Sequence, residues 1–426
     1  MKRYIIIVLI SVLFLGSGSL ENSSQEDAFG HIYNLLDRKE YFRFKNLFEA
    51  SRDQLNEWQV LYFDVIEASI SNKPALANEY AETLLGKYAR LIPDSLKKDI
   101  LSSQIGNKVQ LFDYKGALVA SEELLNSYSN YLDDNEKVEY ADDLEFWKIA
   151  RDVPPQTMSI TSDSKLELTD SFVGKNITVN INGKTMLSIF DTGANFSVLI
   201  KSVAEDMGVR MLPGKFKVTS ITGEKIFAEL GVADNVNIGN MTFNNVLFLV
   251  FPDEEFTFGP DLVIRSIIGF PIINAMKELT FSEDYIFVPK TPSKKSYNNL
   301  ALDGLSPVIE IIVNSDSLCF GFDTGANRTM LYPPYYLDSK DEIEKNFKIT
   351  KYKFGGAGGI IEVDAYLIND LALRTGETQN ILKETYALIS PLGEDSKYFY
   401  GNLGMDFIGA YKSYTINFES MFIDFN

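Results

Sequence analysis

The hexapeptide FDTGAN occurs twice, at 190–195 and 322–327, with the second aspartate 132 residues after the first. A lone Asp-Thr-Gly is a turn in most proteins. A pair of them suits a hydrolysis run by two carboxyl groups. Two carboxylates held close together cannot both ionise readily, so their proton losses split apart. The charged one takes a proton from water, and the neutral one donates to a carbonyl oxygen. Such chemistry needs neither a metal nor a covalent nucleophile. Asp191 and Asp323 are the candidate pair. Gly193 and Gly325 permit the tight turn that brings a backbone N–H toward each carboxylate.

Two such aspartates meet only if the elements around them repeat, and they do. Ile177, Val179 and Ile181 alternate with polar residues, Asn182-Gly183 offers a hairpin turn, and KTMLSIF (184–190) returns into Asp191. The second copy reads PVIEIIV (307–313), a polar turn at 314–317, then LCFGF (318–322) into Asp323. Gly223 and Gly355 each lie 32 residues after their aspartate, in β-patterned stretches expected to be hairpins. Gly269 in SIIGFPII and Gly404 in GNLGMDFI follow at offsets of 78 and 81. Ala275-Met276-Lys277 and Ala410-Tyr411-Lys412 keep the same three-residue shift, at 84 and 87. Coincidences in order, with one constant slip, indicate a duplicated β-domain.

On these residues the region from about 159 to 426 resembles the aspartic proteases of the retropepsin and pepsin clan, with two lobes fused in one chain. The carrying motifs are Phe190 to Ala194 with Ile267-Ile268-Gly269, and Phe322 to Ala326 with Asn402-Leu403-Gly404. Compact lobes, the alanine after Asp-Thr-Gly and the string GGAGG (355–359) look closer to retropepsins. The resemblance implies that Thr192 and Thr324 interlock across the dyad, and that Ile268, Gly269, Leu403 and Gly404 support the aspartate loops. It further implies flaps that close over an extended peptide, at Ile221, Thr222 and Gly223 in one lobe and Gly355, Gly356, Ala357, Gly358 and Gly359 in the other. Asn195 and Asn327 stand where retropepsins usually carry a substrate-binding aspartate. Ala194 and Ala326 offer no hydroxyl to the charged carboxylate, so a mildly acidic optimum is expected.

The remaining elements form a different class. From 25 to 150 the apolar spacing is helical, as in Trp58, Leu61, Tyr62, Val65 and Ile66. An α-helical hairpin array is expected, faintly like tetratricopeptide units but without a clear period. The fold class is therefore α+β and multidomain: the array (25–150), a linker at 151–165 around Pro154-Pro155, an all-β first lobe (166–291) and second lobe (297–426). Residues 1–20 read as a signal peptide, with MKR preceding a 12-residue apolar run that is short for a membrane span. An uncleaved anchor is the other reading. A single cysteine and Asn-x-Ser/Thr triplets inside both motifs lean toward a bacterial cell envelope, periplasmic or extracellular.

A net charge of −19 disfavours nucleic acid and anionic lipid as partners. With one histidine and one cysteine, no metal site and no cofactor are expected. GGAGG lacks the Lys-Ser/Thr of a phosphate-binding loop. Two functions remain: an endopeptidase complete in one chain, whose helical region docks a partner or regulates the dyad, and an inactive peptide-binding module on the same scaffold.

Overall fold

The computed structural model of the protein describes residues 20–171, 174–219, 225–258, 262–356, 359–392 and 395–426. Its amino-terminal part is helical: α1 (Leu20–Asp37), α2 (Tyr41–Ser51), α3 (Glu57–Ile70), α4 (Pro74–Lys87), α5 (Asp94–Gln110), α6 (Tyr114–Ser127) and α7 (Asp134–Ala150). Local chemistry sets their limits. Asn56 with Gln59, and Asp133 with Glu136, form capping boxes at α3 and α7, and Pro74 opens α4. Three of the turns end alike. Lys39, Asn72 and Phe112 take positive φ, and each donates its N–H to the third residue before it. Apolar positions on the helices, such as Tyr62, Val65, Ala81 and Leu84, are buried between neighbours.

Beyond α7 the chain is β-rich. The expected linker is not free: Thr157–Ile160 adds antiparallel to Met241–Phe251, and Ser164–Glu167 to Tyr285–Val288. Pro154 and Pro155 end the helical path, and the alternating pattern after them pairs with open sheet edges. The first β-unit is a ten-stranded sheet and the second an eight-stranded one. Asn182 and Gly183, both at positive φ, make the two-residue turn between Gly174–Ile181 and Lys184–Phe190. The second turn is tighter than the four residues expected. Asn314 and Ser315 alone carry it at positive φ, and the strand resumes at Asp316.

Inside each unit the strand entering the aspartate is central. Lys184–Phe190 runs parallel to Ser266–Ile268, which pairs antiparallel with Ser197–Ile200. Asp316–Phe322, Gly401–Leu403 and Met330–Leu331 repeat that arrangement. A five-stranded sheet joins the units through Glu278–Ser282 against Ser413–Asn417, and the largest apolar core runs through both.

Helices and β-units also share cores. Leu84, Ile92 and Ile100 belong to one cluster with Ala301, Val308, Cys319 and Phe399, while Phe146 and Trp147 share another with Val198, Phe216 and Ile226. Polar contacts follow the same seams: Lys39 pairs with Asp303 at 2.6 Å, and the Asn72 amide donates to Asn274 Oδ1 and Phe418 O, each at 2.8 Å. Cys319 is wholly buried under α2 beside Tyr41 and Phe42, and desolvation pushes its thiol far up, to about 12.

Candidate active site

Each aspartate sits one residue past its central strand, and its backbone is fixed first. Asp191 N–H donates to Ile268 O and Asp323 N–H to Leu403 O, both at 3.1 Å. Phe270 N–H then donates to Ala194 O and Met405 N–H to Ala326 O, both at 2.8 Å. The support glycines are sterically required. A Cβ on Gly269 would lie 2.5 Å from Phe196 O, and one on Gly404 2.4 Å from the Arg328 carbonyl carbon.

The turns bring the carboxylates together across the seam. Gly193 N–H donates to Asp191 Oδ1, and Gly325 N–H to Asp323 Oδ1, both at 2.8 Å. Each carboxylate packs on the other unit's glycine: a Cβ on Gly193 would fall 2.6 Å from Asp323 Cγ, and one on Gly325 2.5 Å from Asp191 Cγ. Beneath them the threonines interlock. Thr192 Oγ1 donates to Phe322 O at 3.0 Å and Thr324 Oγ1 to Phe190 O at 3.2 Å. Each hydroxyl also accepts the other threonine's N–H, at 3.1 and 3.0 Å. Both threonines are buried, whereas the aspartates are half-buried.

The two carboxyl groups lie together across the seam and interact, and both are pushed above the ordinary carboxylate range. Desolvation is the main cause for each; the neighbouring Asp323 charge adds to it at Asp191, while donors to Asp323 oppose it. Ala326 has no hydroxyl to offer, but it donates through its backbone N–H, 3.1 Å from Asp323 Oδ1.

Other supporting residues were not singled out. Ser197 and Thr329, both six residues past an aspartate, accept the N–H of Gly269 at 3.1 Å and of Gly404 at 3.0 Å. Thr329 is held in turn by Asp406, which accepts its N–H at 2.7 Å and its hydroxyl at 2.6 Å. Pro271 occupies the matching place in the first unit, so this brace exists once. Asn402 reaches the site directly: its amide donates to Asp323 Oδ2 at 3.2 Å.

Of the expected substrate contacts, Asn195 and Asn327 are exposed beside the dyad. Asn195 Oδ1 accepts from Ser306 Oγ at 3.1 Å, tying the first loop to the second unit. Lys348–Gly356 and Gly359–Thr375 form an antiparallel hairpin whose last pairs are Gly355 with Ile360 and Gly356 with Gly359. Ala357 and Gly358 lie outside the described residues. So do Ile221, Thr222 and Gly223, between Phe216–Thr219 and Lys225–Ile238, which pair up to Thr219 with Lys225. Among the described residues no group of His, Cys, Asp and Glu could hold a metal ion. A cavity of about 730 Å³ lies away from the dyad, between the helices and the second unit. Many of its polar groups pair with one another, as where Tyr33 and Tyr62 both donate to Asp99 at 3.1 and 3.0 Å.

Residues 177–272 match the family model described as aspartyl protease. No protein of curated function matches the chain. Among solved structures, the chain is similar to basic 7S globulin from soybean at 11% identity and a TM-score of 0.36, covering 64% of this chain and 95% of that one. It is also similar to a retropepsin-like aspartic protease from Rickettsia conorii at 16% identity and a TM-score of 0.22, covering 32% and 94%. The family match spans Asp191 to Ala194 and Ile267 to Gly269, and over residues 177–272 the chain is aspartic-protease-like.

Proposed function

We propose that the protein is an aspartic endopeptidase with two lobes in one chain, using Asp191 and Asp323 to activate water against a peptide bond. The observation that carries this reading is the pair of carboxyl groups brought together across the seam, each seated on the other unit's glycine. With one proton between them, the charged carboxylate takes a proton from the attacking water while the neutral carboxyl protonates the carbonyl oxygen. The tetrahedral diol collapses when a proton passes to the leaving amine, and the C–N bond breaks. Hairpins at 348–375 and 216–238 act as unequal flaps that close over the peptide and exclude water. Asn195 and Asn327 bind its main chain. One chain completes the catalytic unit. Residues 1–20 direct export to the cell envelope, and the helical array docks a protein partner or substrate.

The test is cleavage of an unfolded protein mixture by the exported chain between about pH 4 and 8. Asp191→Asn and Asp323→Asn are each expected to lower kcat/KM by roughly a thousandfold or more. Peptide binding without cleavage in the parent would instead identify a binding module.

A further inference from the structure

The two aspartate environments differ by one matched exchange. In the first unit Ile189 lies in register with Ile267; in the second, Gly321 lies in register with Asn402. The positions correspond, each one residue before the phenylalanine that precedes the aspartate, or two before the support glycine. A Cβ on Gly321 would sit 2.4 Å from Asn402 Oδ1, so the glycine clears the space the amide occupies. From there Asn402 Nδ2 donates to Asp323 Oδ2 at 3.2 Å, while Gly325 and Ala326 donate to Oδ1 at 2.8 and 3.1 Å. Asp323 thus has donors on both oxygens. Asp191 receives the N–H group of Gly193 on Oδ1, and the Ile267 side chain brings no donor to it.

Resting on the proposed dyad, we propose that Asn402, in the room made by Gly321, is a positioning residue that fixes Asp323 as the charged carboxylate and leaves the shared proton on Asp191. An amide donor stabilises a carboxylate more than a carboxylic acid, so it biases which oxygen keeps the proton. Of the groups that bear on Asp323, namely Asn402, the Gly325 and Ala326 N–H groups and Asp191, the last alone titrates. Burial raises both carboxyls, and Asn402 opposes the rise at Asp323. In the reaction Asp323 therefore takes the proton from water and Asp191 protonates the carbonyl oxygen. Substrate would meet an oriented pair rather than an interchangeable one.

The experiment is a carboxyl ¹³C NMR titration of the full chain labelled at aspartate Cγ, with the two resonances assigned from Asp191→Asn and Asp323→Asn. In the parent, Asp323 is expected to follow the lower proton-loss step and Asp191 the upper. Asn402→Leu removes the donor at similar volume. Gly321→Ala displaces the amide without changing residue 402. Each is expected to raise the lower step by roughly one pH unit, about what a hydrogen bond to a charged group is worth. The double variant should add little further. Where peptide is cleaved, the acid limb of the kcat/KM profile should move by the same amount, which a purely packing role would not produce. Asp191 following the lower step in the parent, or unmoved midpoints in either folded variant, overturns the proposal. The order in the parent tests the placement of the proton by itself, and either variant that folds tests the part of Asn402 in it. A correct order with the expected shift in the variants, in a chain that cuts nothing, rejects the endopeptidase reading while sustaining the role of Asn402.

Discussion

Two residues at the centre of the molecule are there because nothing larger fits. Gly325 is half of a contact in which the opposite carboxylate takes the place of a side chain. Gly325→Ala should therefore separate the dyad, lowering kcat/KM by roughly a hundredfold or more while thermal unfolding stays cooperative. The aspartates also tie pH to stability. Both are raised in the folded chain, so between the ordinary Asp range and their raised values the folded state holds more protons than the unfolded one. The stability contributed by that held proton is complete below the unfolded value and is lost as pH rises through the folded one. Asp191→Asn is expected to raise Tm at about pH 7 and to change it little near pH 4, as scanning calorimetry at the two values would read. Much of this site was legible in the repeated hexapeptide and its trailing glycines. Ser197 and Thr329 were visible only as parts of Asn-x-Ser/Thr triplets. Asn402 stood in plain view as a polar break in an otherwise apolar-apolar-glycine pattern. Its aim at Asp323 depends on strand register, which is a property of the folded sheet.

At the scale of elements, α7 does more than end the helical array. Phe146 meets Phe196, just past the first aspartate loop, at 5.2 Å and Phe216, at the base of the first hairpin, at 4.9 Å. Asp142 pairs with Lys225 on the hairpin's other strand. One helix thus holds both the loop that carries Asp191 and the strands at 216–219 and 225–238. Phe146→Ala is expected to cost about 3 kcal/mol by cavity formation. It should also speed amide exchange at 216–219 and 225–228 more than at 348–354 in the second hairpin, measurable by hydrogen-exchange mass spectrometry. Sequence periodicity marked α7 as helical and 216–238 as β, since each pattern is local. Their contact joins residues some 70 apart in the chain, and no local spacing encodes it. The strands at 157–160 and 164–167 were hidden for a related reason. They are short and half polar, and they exist because open sheet edges were waiting for them.

Across the whole molecule the helices form part of the folding unit. Their apolar clusters continue into both β-units, with Val308 and Phe399 on one side and Val198 and Ile226 on the other. Excising residues 20–150 would bare these faces. The remaining β-region is expected to bind hydrophobic dye and aggregate rather than unfold cooperatively. The division into helical and β regions was plain from the change of period. Their common core was not, because it is made by faces that only meet once both have folded.

The seam under α2 holds the chain's only thiol, Cys319. Sealed and kept protonated, it reacts with an alkylating reagent only when α2 lifts from the strand Asp316–Phe322. Its modification rate is then a clock for that lifting, and a probe reporting one event at one place. Addition of a peptide that binds at the dyad would slow the clock if its binding tightens the seam under α2, and leave it unchanged if the two ends of the second unit move independently.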